Sequence, residues 1–163
     1  MAAPVTCPDG VLAVWADFLR AHATITDVLG RELTEATGLP LSWYDVLTQL
    51  NGVSDGRLRM QELAAAVVLS KSGLTRLVDR LERDGLVIRT SCPSDRRGTF
   101  AAITPAGRAA LLAARPVHLD GVARHFGSHL TSVQVTALAD AMSALLRGQE
   151  DAGFTGCCDA EIP

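Results

Sequence analysis

The chain has 163 residues and a mass of 17.2 kDa, 48% of them hydrophobic and 20% charged, which describes one ordinary domain with a sizeable core and excludes collagen-like, mucin-like and disordered chains. Fifteen Lys and Arg against 18 Asp and Glu leave a formal net charge of −3, so a nucleic-acid partner requires positive charge concentrated in one region. No apolar run approaches the roughly 18 residues that cross a bilayer, and the opening Met1 to Cys7 lacks the basic and apolar regions of a signal peptide, so a cytoplasmic chain without a membrane partner is expected.

Apolar residues recur at Val11, Trp15, Phe18, Ile25, Leu29 and Leu33, with His22 in the one gap, and predict a long amphipathic helix ending near Gly38. Ser42 is the expected N-cap of a second helix running to about Gly52, with Leu41 and Val46 as its hydrophobic staple. After the turn-rich stretch 51–56, helical spacing resumes from Leu58 through Leu63 to Val67. Ser70 then caps a helix that points Leu74, Leu77, Val78 and Leu81 inward and closes at Gly85. Leu86 to Thr90 and Thr99 to Ile103 read as two short strands of a hairpin joined by a polar loop. Thr104 and Pro105 open a helix towards Phe126 that Pro116 is expected to kink or interrupt. Thr131 and Gln134 form a capping box before the last helix, whose seam is Val135, Leu138, Met142 and Leu145, and pattern is lost from Gly148. Apolar seams at both ends are hard to satisfy within one small domain and point to burial against a second subunit.

The charge is divided along the chain. From Arg57 to Arg97 there are nine basic and five acidic residues, a net of +4, while the remainder carries −7. A cationic segment on a helix-turn-helix and a hairpin is the footprint of a reader of duplex DNA. Only a tight turn separates Val67 from Ser70, and the second helix of such a pair presents its N-terminal part to the major groove. Candidate contacts to bases or phosphates are therefore Ser70, Lys71, Ser72, Thr75 and Arg76, with Ser70 competing for the role of cap. In the hairpin loop, Arg96 and Arg97 suit a narrow minor groove, and Asp95 is expected to orient a neighbouring arginine and so brace the wing.

Leu63-Ala64, the run Leu74 to Val87 with Arg89, Cys92 to Gly98, and Ile103 to Arg108 together resemble the MarR family of winged helix-turn-helix regulators. The resemblance implies a mainly α fold with a small β-hairpin wing, in a single domain over 1–163. Residues 10–38 and 130–148 would be dimerisation helices, 41–104 the winged helix-turn-helix and 105–127 a connecting helix. It further implies a homodimer whose recognition helices enter successive major grooves of a pseudopalindromic operator on double-stranded DNA while the wings reach the minor groove. Such regulators usually repress nearby genes and release DNA when a small aromatic or phenolic ligand, or an oxidant, acts on the dimer.

The family's ligand cleft lies between the dimerisation helices and the DNA-binding lobe. Polar or aromatic residues able to line it here are Trp15, His22, Trp43, Tyr44 and His118. His22 serves equally as a hydrogen-bonded interface histidine, and Trp15 falls on the seam. Other responses are open to the same fold: a metal held by His118, His125 and His129, or a thiol switch at Cys7, Cys157 and Cys158, although the four cysteines show no C-x-x-C spacing. A winged-helix module for protein contacts is the rival of another class, opposed by the grouping of Lys71, Arg76, Arg96 and Arg97 on the elements that face DNA. Only seven aromatic residues are present, which argues against a stacking platform for single strands. No phosphate loop, nucleophile elbow or paired-carboxylate site occurs, so no catalytic residue, cofactor or resident metal is expected.

Overall fold

The structure is a computed structural model that describes residues 8–67, 69–92 and 95–151. Helix α1 (Val11–Thr37) ends at Gly38, whose φ of 73° places it in the left-handed region and lets its amide return to Thr34 O. Helix α2 (Leu41–Asn51) begins two residues before the start that Ser42 as N-cap would give. Pro40, extended at φ −61° and ψ 143°, is the N-cap, and its carbonyl receives the amides of Trp43 and Tyr44 at 2.9 and 3.1 Å. Ser42 thus lies inside the helix, and no side chain caps it.

The expected helix from Leu58 divides into strand β1 (Arg57–Arg59) and helix α3 (Met60–Ala66). Recognition-type helix α4 (Lys71–Arg83) follows, then β2 (Val87–Cys92) and β3 (Asp95–Ile103). Both strands are longer than the periodicity predicted. They form an antiparallel sheet of order β1-β3-β2, with a register shift between Ser91 and Cys92, so the hairpin carries a third strand. Helix α5 (Pro105–His125) runs through Pro116 without interruption, a short 3-10 turn spans Gly127–His129, and α6 (Ser132–Asp151) continues past the expected loss of pattern at Gly148. No helix among the described residues is long and apolar enough to cross a membrane.

Local side-chain caps place the starts of α4, α5 and α6. Ser70 Oγ accepts from the Gly73 amide at 3.1 Å, and Thr104 Oγ1 from the Gly107 amide at 3.0 Å. At Thr131 the box is reciprocal: its amide donates to Gln134 Oε1 at 2.9 Å and its Oγ1 accepts from the Gln134 amide at 3.3 Å.

The core lies in the middle of the chain. Leu33, Val46, Leu47, Leu50, Leu63, Leu74, Val78, Leu81 and Val87 are fully buried, each contributing about 1.5–3 kcal/mol by leaving water. By contrast no residue from 8 to 24 and none from 131 to 148 is buried.

The start of α5 is docked on the sheet by a close backbone approach. Thr104 Oγ1 donates to Gly85 O at 2.7 Å while its amide reaches Leu86 O at 3.0 Å. A Cβ on the buried Gly107 would stand 2.2 Å from that Leu86 carbonyl and 3.0 Å from Ile103 Cγ1. Backbone cannot yield as a flexible side chain does, so Gly107→Ala is expected to destabilise the fold by about 1–3 kcal/mol. Urea unfolding should show a lower midpoint at unchanged slope.

Candidate nucleic-acid interface

Helix α4 has three faces, set by its 3.6-residue period. Leu74, Leu77, Val78 and Leu81 fill the core face. A second face carries Asp79 and Glu82, whose carboxylates turn towards β2, while the exposed Thr75 meets β2 through its backbone carbonyl. The third, Ser72, Arg76, Arg80 and Arg83, is exposed and carries three of the helix's cations. An exposed stripe of guanidinium groups on the second helix of a helix-turn-helix is suited to a phosphate-lined groove.

The candidate contacts fall on this helix as follows. Ser70 is engaged as the cap and lies 3.3 Å from Ser72 Oγ, so its hydroxyl is committed within the turn. Ser72, Thr75 and Arg76 are exposed. The side chains of Lys71, Asp95, Arg96 and Arg97 lie outside the described residues, although Asp95, Arg96 and Arg97 are placed by their backbone in β3.

Two groups of cations in the winged region were not among the candidate contacts. Arg89, on the strand face it shares with the buried Val87 and Ala101, turns inward onto α4. Its Nη1 meets Glu82 Oε2 at 2.6 Å and Asp79 Oδ1 at 2.7 Å, its Nη2 donates to Thr75 O at 3.2 Å, and its backbone amide donates to Glu82 Oε1 at 3.0 Å. The available signal was a charged residue at an inward position of a strand, two residues after a buried valine. On the opposite sheet face Arg57 and Arg59 each stand 5.3 Å from the Phe100 ring, within the range of cation–π attraction. Arg57 Nε also pairs with Asp55 Oδ2 at 2.6 Å. That arrangement exists only because β1 pairs with β3, Arg59 opposite Phe100.

The five residues expected to line a ligand cleft form separate groups within one chain. Trp15 stacks on Phe18 at 5.9 Å, and His22 lies 6.4 Å from the same ring, all on the exposed half of α1. Tyr44 is buried, its ring 4.4 Å from His118 across the α2 and α5 contact, and Trp43 is partly buried against the core. His118 Nδ1 is buried with no hydrogen-bond partner. Burial lowers the His118 pKa below the ordinary histidine value and raises that of the Tyr44 phenol, keeping both neutral at pH 7.

The other histidines do not gather around a metal. His125 Nε2 lies 2.8 Å from Glu32 Oε1, and Arg124 reaches the same carboxylate at 2.9 Å, joining α1 to α5. Arg124 first and His125 second hold the Glu32 pKa below the usual carboxylate value. Among the described residues no three His, Cys, Asp or Glu side chains are placed to hold a metal ion. Cys7, Cys157 and Cys158 lie outside the described residues.

This architecture has known relatives. A MarR family model matches residues 37–98, from the end of α1 into β3. Sco3205, a MarR family transcriptional regulator from Streptomyces coelicolor solved in complex with DNA, is 34% identical, with a TM-score of 0.81 over 90% of this chain and 91% of that one. AbsC, a MarR family transcriptional regulator from the same organism, is 32% identical, with a TM-score of 0.77 over 89% of this chain and 99% of that one. The HTH-type transcriptional regulator YkoM of Bacillus subtilis (strain 168), itself uncharacterized, is 31% identical over 109 residues, 67% of this chain and 69% of that protein.

The chain belongs to the MarR family. It is a winged-helix, DNA-binding transcriptional regulator, and its relatives are regulators, not enzymes. The family match contains α4 and all the candidate DNA contacts, and in a MarR regulator the exposed stripe of α4 is the surface to test. Arg76→Ala is expected to cost about 1–3 kcal/mol in duplex affinity. If Arg76 reads a guanine the loss will be confined to particular base pairs, and if it neutralises a phosphate the loss will be uniform, which titration of a set of substituted duplexes distinguishes.

Proposed function

We propose that this MarR regulator is a homodimeric repressor that binds a pseudopalindromic operator through α4 and the wing, and that a small aromatic or phenolic compound releases it. In this reading residues 41–104 are the DNA-binding unit, 105–127 connect it, and 10–38 and 130–148 dimerise. Ser72, Thr75 and Arg76 face the major groove with Lys71 beside them, and the Ser70 turn abuts the backbone. Arg96 and Arg97 enter the minor groove with Asp95 bracing them.

The observation that carries the dimer is unsatisfied apolar surface at both ends of the chain. Leu12, Val14, Trp15, Phe18 and Leu19 are 43–69% exposed on α1, and Val133, Val135, Leu145 and Leu146 are 47–76% exposed on α6. Two long helices bearing apolar residues without cover in their own chain need a partner, and a second copy supplies the same helices by symmetry. Sedimentation equilibrium at micromolar concentration is expected to give a species of twice the 17.2 kDa chain mass. A 17.2 kDa species alone would refute the dimer.

The ligand reading is supported by the pair formed by Tyr44 and His118. An imidazole nitrogen buried without a partner costs about 1–3 kcal/mol, a cost that a phenolic hydroxyl or carboxylate entering beside it would remove. The neutral rings around it suit a flat aromatic body. Trp15 and His22 approach such a site only if the partner subunit brings its own α1 across. To weaken DNA binding tenfold the compound need only favour the non-binding spacing of the two α4 helices by about 1.4 kcal/mol. His118→Phe is expected to leave duplex affinity unchanged without ligand and to blunt release by a panel of phenols and aromatic acids, measured by fluorescence anisotropy. Unaltered release in that variant would remove His118 from the site.

A further inference from the structure

Arg89 ties the wing strand β2 directly to the polar side of α4. One planar guanidinium, one-quarter exposed, meets Asp79 Oδ1, Glu82 Oε2 and the Thr75 carbonyl, while the Arg89 amide takes the other Glu82 oxygen. These three partners lie four and three residues apart on α4, so the contact runs along the helix axis for nearly two turns. A cross-brace of this kind fixes rotation as well as distance. The carboxylates are 47% and 38% exposed, and ion pairs so open to water contribute little to stability. Orientation is what this geometry supplies.

Charge adds a second consequence. Asp79 and Glu82 stand beside the exposed stripe of Ser72, Arg76, Arg80 and Arg83. Without Arg89 two uncompensated carboxylates would border the surface that meets phosphates. With it they are drawn towards β2 and neutralised in part.

We propose that Arg89 is a positioning residue for DNA recognition: by clasping β2 to Thr75, Asp79 and Glu82 of α4 it sets the angle at which wing and recognition helix meet the duplex together. This inference rests on the reading of α4 and the wing as the DNA interface. Lysine is a poor substitute, because an ammonium is a point charge without the rigid fork whose two Nη atoms here meet three acceptors.

The test uses a duplex enriched from a random-sequence pool by the unaltered full-length chain. Its affinity is measured across a KCl series, and its hydroxyl-radical footprint is mapped, for the unaltered chain, R89K, R89A and R89A/D79N/E82Q. The unaltered chain is expected to protect a central site and separate flanks. R89A should bind at least tenfold more weakly and lose flanking protection while keeping the central site. R89K should keep the charge yet also lose the flanks. The triple variant should bind more tightly than R89A, with two repelling carboxylates removed, without regaining flanking protection. If R89A proves unfolded by circular dichroism, R89K carries the decision alone. An R89K footprint and affinity equal to those of the unaltered chain would overturn the proposal, as would central and flanking protection falling in parallel. A footprint of the unaltered chain without flanks would instead refute the wing contact on which the inference rests, a result separable from any behaviour of the Arg89 variants.

Discussion

Burial of a compact set of leucines and valines in the middle of the chain is the constraint on which the other features depend. Leu47 and Leu50 of α2, Leu63 of α3, Leu74, Val78 and Leu81 of α4, and Val87 of β2 close on one another with no buried polar or charged residue among them. This uses the apolar surface of the central elements and of Leu33 near the end of α1, and none from residues 8–24 or 131–148. The central lobe is therefore packed within one chain, while α1 and α6 keep apolar residues exposed. Division of labour between a self-sufficient lobe and incomplete ends is thus a result of where the apolar residues lie.

Because α4 commits one face to this core, its polar residues have only the remaining circumference. Arg89 takes one part of it, through Thr75 O, Asp79 and Glu82, and the exposed stripe of Ser72, Arg76, Arg80 and Arg83 takes the other. A net positive segment in a net negative chain is thereby refined into a one-sided cationic surface, since the helix's acids are turned away from it. Long-range attraction to phosphates depends on that arrangement more than on the chain's total charge.

The same lobe is coupled to the terminal scaffold at two places. At the base of the sheet, Thr104 and Gly107 seat α5 against Gly85 and Leu86 with backbone approach too close for any side chain. Further along, Arg124 and His125 hold Glu32 of α1, and Tyr44 of α2 packs on His118 of α5. Rotation of α5 would therefore be felt both by the sheet and by α1, which bears one of the exposed seams. A single helix that touches both the sheet and α1 is an element through which a displacement at one could reach the other.

Much of this architecture was legible in the sequence where the deciding bonds are local. Caps at Ser70, Thr104 and Thr131 with Gln134, the helix ends at Gly38 and Gly85, and the inward leucines of α4 all follow from hydrogen bonds or spacings within three or four residues. The cationic segment was visible for the same reason, as a count along the chain. Tertiary structure decided what depends on a distant partner. Strand β1 is three residues long and has no strand signal of its own, and it exists because Arg57 to Arg59 find open backbone groups on Ala102 to Phe100. Pro40 displaced Ser42 as cap because its extended carbonyl was already placed to receive the first amides of α2. Asp79 and Glu82 acquire their partner only because β2 folds back and brings Arg89 against α4. His118 and His125, grouped by sequence proximity, were separated by what α5 meets on each side, a buried tyrosine in one case and a carboxylate of α1 in the other. Short-range periodicity determines which elements form, whereas the chemistry of a side chain is set by the element packed against it, and that information is not local in the chain.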